Sequence, residues 1–231
     1  MTARSAAALA VAGLGGYLAG TFPSADVASR LASGGAIDLR GVGSANPGAL
    51  NAGQQLGTRW GIAVLGVDAA KGVVGAHIGR RLAGDGGGYL GATASIAGHI
   101  APVWNGFRGG KGVATSAGAC LAVFPAYFPI DAAVAAVGAA GTRNAASAVR
   151  WSSTVWVASA LLWWRRRWPN LWGPQPTAGL PLFAAAGATM VLAKFAAAGR
   201  ARSRRSSGGG PANDGGDERA RGSRLSGGRP S

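Results

Sequence analysis

Apolar stretches recur along almost the whole chain and are separated by short polar breaks. A helix that crosses a lipid bilayer needs about 20 mostly apolar residues. Seven stretches approach this requirement, so the pattern predicts an all-α, polytopic membrane bundle with about seven transmembrane helices. They lie at about residues 5–22, 60–78, 87–104, 112–128, 129–141, 147–164 and 178–198.

Three of these stretches have features that bear on the prediction. Arg4 precedes the first stretch and small residues follow it, as in a secretory signal, but six further stretches favour a retained helix. The fifth is short, and the second contains Asp68 and Lys71. Weakly apolar spans need neighbouring helices, and the many Gly and Ala residues permit close helix packing.

The composition also indicates a membrane protein. Charged residues make up 13% of the chain, against about 25% in soluble domains. Residues 1–198 contain no Glu and only five Asp, which disfavours catalysis by a close pair of carboxylates. The single cysteine, Cys120, lies in an apolar run and is predicted to be a small packed side chain. A lone cysteine supports neither a disulfide framework nor a thiolate metal site, and no metal or cofactor is expected.

The distribution of Lys and Arg predicts an orientation, because positive residues collect in short cytoplasmic loops. One set of loops holds eleven such residues and the opposite set holds six. The larger set comprises Arg30, Arg40, Arg59, Arg108, Lys111, Arg143, Arg150, Arg200, Arg202, Arg204 and Arg205. The smaller set comprises Arg4, Arg80, Arg81 and Arg165 to Arg167. We therefore expect a cell-membrane protein with its N-terminus outside and its C-terminal tail cytoplasmic, although the arginine triplet opposes this.

The sequence divides into a membrane domain, residues 1–199, and a basic tail rich in Gly, Ser and Arg, residues 200–231. The tail holds too few apolar residues to offset the entropy of ordering it, so it is predicted to be disordered. A solvated tail without a dedicated partner, and without specific nucleic-acid binding, is the expectation. Contact with anionic lipid headgroups or with nucleic acid is the alternative.

Residues 38–51, here called the first loop, are polar and rich in small side chains. Small residues allow successive backbone N–H groups to form a concave nest for an anion. Ser44, Asn46 and Asn51 add a hydroxyl and two amides. The first loop is thus a candidate anion site, and a plain tight turn is the alternative.

Residues 98–116, here called the second loop, contain Gly109-Gly110-Lys111-Gly112. The spacing of an ATPase phosphate loop is not met, because Val113 stands where a hydroxyl is required. The remaining pattern is a glycine run that opens a helix, with amide groups and the Lys111 ammonium available to one phosphate. A tight turn is again the alternative.

Asp68 and Lys71 are three residues apart in an otherwise apolar stretch. That spacing places both on one face of a helix, where they can pair. Ionisable groups inside a membrane usually have a function, and a structural ion pair is the competing interpretation. His99 is expected to hold the turn before Pro102, with proton transfer as the alternative.

Together, Gly43 to Asn51, the Asp68/Lys71-Gly72 stretch and Gly98 to Thr115 resemble the three motifs of the bacterial acyl-phosphate:glycerol-3-phosphate acyltransferase family, in that order. The resemblance implies a seven-helix membrane protein with a cytoplasmic-side active site and no cofactor. Such a protein transfers a fatty acyl group from acyl phosphate to glycerol 3-phosphate. The products are phosphate and lysophosphatidic acid. The latter is an intermediate of phospholipid biosynthesis, and such a protein also contacts membrane lipid.

Carried over to this chain, the resemblance implies Ser44 and Lys111 as catalytic residues. The implied substrate-binding residues are Asn46, Gly48, Asn51, Gly109, Gly110 and Gly112, to which we add Arg40, Asp68 and Lys71.

The chain departs from the family pattern at three places. Gln54 replaces an Arg expected to contact phosphate, Leu50 replaces a Thr, and no His-x-x-Asn follows Lys194. Arg40, Arg59 or Lys194 is a candidate to supply the missing charge.

Two other functions remain open from the sequence. A catalytically inactive relative that acts as a membrane assembly component is consistent with Gln54 and with the missing His-x-x-Asn. A transporter is the second alternative, in which Asp68 and Lys71 line a pathway through the bundle. No inverted repeat is visible in the sequence.

Overall fold

The computed structural model describes residues 3–133 and 145–207, and these residues are helical or irregular, with no strand among them. The predicted all-α class is confirmed. A short 3-10 helix, Val103–Asn105, follows the fourth helix. We label seven α-helices in chain order: α1 Ala3–Gly20, α2 Ser24–Ser33, α3 Ala49–Leu56, α4 Thr58–Ile100, α5 Val113–Val123, α6 Ala145–Arg166 and α7 Gly179–Ser207. Residues 128–133 are also helical, up to the limit of the described residues.

Helix α4 consists of two antiparallel arms joined by a sharp break. The backbone leaves helical geometry at Ala83 and Gly84, and Gly84 has φ +64°. A glycine adopts this left-handed conformation at little cost. Beyond the break the arms touch, since a Cβ on Gly79 would collide with the backbone of Gly87. The arms correspond to the predicted spans at 60–78 and 87–104.

Three segments of the described chain are long and apolar enough to cross a membrane: Arg4–Ser33, Thr58–Asn105 and Gly179–Ala201. The predicted span at 112–128 is too long, because α5 ends at Val123. Pro125 disfavours helix in the residue before it. Only 129–133 of the predicted span at 129–141 is described, as helix, and the rest lies outside the described residues. The count of seven spans therefore stays a prediction.

The chain divides into two structural units, Met1–Ala197 and Ala198–Ser231. Helix α7 continues to Ser207, so the first residues of the predicted tail are helical in the structure, and the disorder of the tail stays a prediction. Alanine and arginine are good helix formers, which explains the extension. The remainder of the predicted tail, residues 208–231, lies outside the described residues.

Two hydrophobic cores organise the first unit. The larger core packs α4, α5, α6 and α7 around aromatic side chains that include Phe124, Tyr127 and Trp156. Cys120 belongs to this core and is 1% exposed, so its predicted packed state is confirmed. The smaller core joins α2, α3, α4 and Leu39 of the first loop. This second core fixes the first loop to the helices around it.

Helix α5 lies against α4 at the turn that carries Asp68 and Lys71. A Cβ on Gly72 would collide with the backbone of Thr115 and Ala119, and one on Gly118 would collide with the backbone of Ala69. Glycine at these positions permits this close approach. The ion-pair turn of α4 is therefore covered by backbone of the helix that follows the second loop.

Candidate active site

The first and second loops meet in space. Arg40 Nε in the first loop donates to the carbonyl oxygen of Arg108 in the second, at 3.0 Å. A Cβ on Gly110 would lie 3.3 Å from the carbonyl oxygen of Pro47. The two loops, 68 residues apart at this contact, therefore lie against each other in the fold.

A small pocket lies between the loops, α2 and the end of α1. Of the residues predicted for a site, Arg40, Lys71, Gly109 and Gly110 line it. The structure adds Ser24, Asp26, His99 and Asn105 to its wall. The pocket thus brings two cationic side chains from different parts of the sequence into one small space.

Lys71 belongs to a buried hydrogen-bond network that links α2 with the first arm of α4. Its Nζ lies 2.7 Å from Asp68 Oδ1 and 3.0 Å from Ser24 Oγ. Ser24 Oγ in turn donates to Asp68 Oδ1 at 2.5 Å. All three side chains are buried. The predicted pairing of Asp68 and Lys71 is confirmed, and Asp68 lies behind the pocket wall.

His99 contacts both the Asp68 network and the second loop. Its Nδ1 lies 3.5 Å from Asp68 Oδ1, and the residue lines the pocket. Its carbonyl oxygen accepts a hydrogen bond from the Gly110 N–H at 3.2 Å. His99 therefore holds the second loop, as predicted, and also extends the Asp68 network to the pocket.

Two N–H groups in the glycine run of the second loop have partners at the end of α4. The N–H groups of Gly109 and Gly110 donate to the carbonyl oxygens of Ile100 and His99 at 3.1 and 3.2 Å. Carbonyls at the end of a helix lack intrahelical partners and capture nearby donors. In the structure these two N–H groups therefore hold the second loop against the end of α4, and their binding of a phosphate stays a prediction. Gly112, with φ +85°, is the cap residue immediately before α5.

Lys111 faces α7 rather than the pocket. Its Nζ lies 4.6 Å from the centre of the Phe195 ring, a cation-π distance. Lys194, one residue earlier on α7, donates from Nζ to the Ile100 carbonyl at 3.1 Å. Two lysines therefore flank the second loop on its α7 side.

The first loop is organised by the amide of Asn51. This side chain is 1% exposed, and its Nδ2 donates to the carbonyls of Leu39 and Val42 at 2.9 and 3.1 Å. Its Oδ1 accepts the N–H of Ser44 at 3.1 Å. Ser44 itself is exposed. Gly48, extended at φ −140°, begins α3, and its N–H donates to the carbonyl of Asn46.

Arg40 is held by Asp26 of α2 through two parallel hydrogen bonds from Nη1 and Nη2 to the two carboxylate oxygens. These hydrogen bonds raise the pKa of the Arg40 guanidinium, so it stays charged. Sequence reasoning missed Ser24, Asp26 and Asn105. The rarity of Asp in residues 1–198 is the one signal that points to Asp26.

The fold and the site define a helical membrane protein with a small pocket, lined by Arg40, Lys71 and Asp26, beneath two glycine-containing loops. Residues 10–201 match the sequence model of the family described as glycerol-3-phosphate acyltransferase. Because this match covers most of the chain, the chain belongs to the glycerol-3-phosphate acyltransferase family.

Individual relatives agree with this assignment. A glycerol-3-phosphate acyltransferase of Anaeromyxobacter sp. (strain Fw109-5) is 47% identical over 115 residues, which are 48% of this chain and 56% of the relative. Glycerol-3-phosphate acyltransferase 2 of Moorella thermoacetica is 45% identical over 109 residues, 47% of this chain and 55% of the relative. The chain thus spans little more than half the length of these curated relatives.

The fold is similar to the crystal structure of PlsY (YgiH), an integral membrane glycerol 3-phosphate acyltransferase, in its glycerol 3-phosphate form. The TM-score is 0.62 at 29% identity, covering 87% of this chain and 92% of that chain. The lysophosphatidic acid form of that protein matches with the same TM-score and coverage at 28% identity. This chain is a membrane protein of the same architecture.

Proposed function

We propose that this protein transfers a fatty acyl group from acyl phosphate to glycerol 3-phosphate and forms lysophosphatidic acid. The observation that carries the proposal is the meeting of the two loops around a pocket that holds Arg40 and Lys71. Family membership and the similarity to a structure in its glycerol 3-phosphate form support the choice of acceptor. The donor is proposed from the resemblance of the loop motifs.

The proposed reaction needs positioning more than it needs a strong catalytic base. The acceptor hydroxyl oxygen attacks the acyl carbonyl carbon, and the bond from that carbon to the phosphate oxygen breaks. The hydroxyl proton leaves on the released phosphate, so atoms and charge balance without a covalent enzyme intermediate. The protein lowers the barrier by holding two anionic substrates together and by stabilising charge at the carbonyl.

The loops supply groups for both tasks. We assign Lys111 and the backbone at Gly112 to a phosphate group, and the Ser44 hydroxyl to a substrate oxygen. Asn46 lies in the same loop and is a further donor. Arg40 and Lys71 contribute positive charge to the pocket that receives the second anionic headgroup.

Other predicted residues act indirectly in this proposal. Asn51 and Gly48 shape the first loop, because their polar groups bond to its backbone. Gly109 and Gly110 allow the second loop to pack against His99 and Pro102, since a Cβ at either position would collide with these neighbours. Asp68 holds Lys71 in place.

A comparison of acyl donors tests the proposed function. Purified protein in detergent is given glycerol 3-phosphate with either an acyl phosphate or an acyl thioester, and lysophosphatidic acid is quantified. We expect product from acyl phosphate and little from the thioester. Product from the thioester alone contradicts the proposed donor, and product from neither contradicts an active enzyme.

The Gln54→Arg variant separates an active enzyme from a lapsed one in the same assay. Gln54 is exposed on α3, and an added guanidinium there presents the fork geometry that matches phosphate. If only Gln54→Arg forms product, the wild-type chain is an inactive relative. That outcome favours the role of a membrane assembly component.

We also propose that the loops and the C-terminal tail face the cytoplasm of a cell-membrane protein whose N-terminus lies outside. Single cysteines at Ser44, Lys111 and Ser206 in sealed inverted vesicles should all react with an impermeant reagent. In right-side-out vesicles all three should be protected. Opposite accessibility of Ser44 and Lys111 contradicts a shared site, and uniform labelling from the outer side contradicts the orientation.

A further inference from the structure

Asp26 connects three parts of the chain through one carboxylate. It accepts hydrogen bonds from Nη1 and Nη2 of Arg40 in the first loop. Its Oδ2 also accepts a hydrogen bond of 2.9 Å from Nδ2 of Asn105 in the second loop. Asp26 itself lies on α2, which packs on α4 through the smaller core. We call Asp26, Arg40 and Asn105 the Asp26 cluster.

The Asp26 cluster contains a strong type of side-chain contact, which joins α2 to the first loop. A bidentate guanidinium–carboxylate pair fixes direction as well as distance. The Asp26 and Arg40 side chains are 30% and 17% exposed, so water screens the pair only in part. Arg40 Nε also donates a hydrogen bond to the Arg108 carbonyl, so the guanidinium contacts both α2 and the second loop.

The position of the cluster relates it to the proposed chemistry. Ser44 lies four residues after Arg40, and Lys111 lies three residues after Arg108. Ser44 is exposed at the surface of the first loop, and Lys111 faces α7. Their separation is therefore set by how the two loops are held against each other.

We propose that Asp26 and Asn105 are positioning residues, which fix the first loop to the second through Arg40 so that both substrates are held at reacting distance. This inference rests on the proposed function. Besides its charge in the pocket, Arg40 joins the two loops, because its Nη groups bond to Asp26 and its Nε bonds to the Arg108 carbonyl. The cluster contributes to the rate by restricting the loops, and small misplacements of reacting groups are costly.

Asp38 provides a matched control on the same arginine. Its carboxylate lies 3.5 Å from Arg40 Nη1, but its side chain is 67% exposed. Like Asp26→Asn, Asp38→Asn removes one negative charge near Arg40. It keeps a side-chain oxygen that can accept the backbone N–H of Arg40. A general effect of losing negative charge near Arg40 therefore appears in both variants, and loss of the cluster appears only in Asp26→Asn.

The kinetic test uses the full chain in detergent with acyl phosphate and glycerol 3-phosphate. Asp26→Asn should lower kcat/KM by roughly 10 to 100 fold, and Asp38→Asn should stay within about twofold of the wild type. Because the cluster acts as one unit, Asp26→Asn combined with Arg40→Gln should be no slower than the worse single variant. Equal effects of Asp26→Asn and Asp38→Asn, or multiplied effects in the double variant, overturn the proposal.

A distance measurement tests the cluster independently of activity. Spin labels on Ser44→Cys and Phe107→Cys, in a Cys120→Ala background, report the separation of the two loops. Asp26→Asn should broaden the distance distribution, and Asp38→Asn should leave it unchanged. An unchanged distribution in Asp26→Asn overturns the proposal even if activity falls. If the wild type is inactive, the proposed function fails, and this measurement still decides whether the cluster fixes the loops.

Discussion

The Lys71→Met variant should be destabilised by about 3 to 5 kcal/mol, because it leaves the buried Asp68 carboxylate without its cation. Lys71 and Asp68 are 5% and 1% exposed. A charge buried without a partner is far more costly than the loss of an exposed ion pair. The expected result is a marked fall in the midpoint of thermal unfolding in detergent.

Two further variants make this test specific. The double variant Asp68→Asn/Lys71→Met removes both charges and should recover much of the lost stability. Arg80 and Asp85 form an exposed pair across the break of α4, with side chains 45% and 36% exposed. Arg80→Met should cost less than about 1 kcal/mol. If Lys71→Met and Arg80→Met unfold at the same midpoint, the buried network does not stabilise the bundle.

The Lys111→Ala variant should have the largest effect on activity. A hydrogen bond to a charged group contributes about 1.5 to 3 kcal/mol. If Lys111 binds the phosphate of a substrate in the transition state, its loss should lower kcat/KM by roughly 10 to 150 fold. Phosphate release at a series of substrate concentrations gives the ratio. Thermal unfolding should change little, because Lys111 is only half-buried.

Lys111→Arg is the informative companion variant, since it keeps the charge but not the compact ammonium, and it should restore activity only in part. Arg81→Ala removes one positive charge from an exposed position near the α4 break and should leave kcat/KM unchanged. If Lys111→Ala keeps wild-type activity, the role of this lysine is structural and includes its contact with the Phe195 ring.

The sequence predicts the helical class, the two loops and the Asp68–Lys71 pair because each depends on local pattern. Length of apolar runs identifies membrane helices, and the three-residue spacing places the ion pair on one face. The close contact of the two α4 arms is also consistent with the many glycines. These features need no knowledge of distant contacts.

The features that the sequence does not predict depend on tertiary contacts. Short helices α2 and α3 interrupt a region that carries no long apolar run, and they are stabilised by the smaller core around Leu39. Asp26 meets Asn105 across 79 residues of sequence. The Gly109 and Gly110 N–H groups donate hydrogen bonds to carbonyls at the end of α4, and these contacts depend on how the second loop folds back. Local composition contains no signal for such pairings.

The most direct test of the central claim follows both products of one reaction with the purified wild-type chain. Acyl phosphate and glycerol 3-phosphate are supplied together, and released phosphate and lysophosphatidic acid are measured over time. The proposed transfer predicts equal amounts of the two products and no phosphate release beyond the spontaneous rate when glycerol 3-phosphate is omitted. Phosphate release that is independent of glycerol 3-phosphate, or the absence of lysophosphatidic acid, would contradict it.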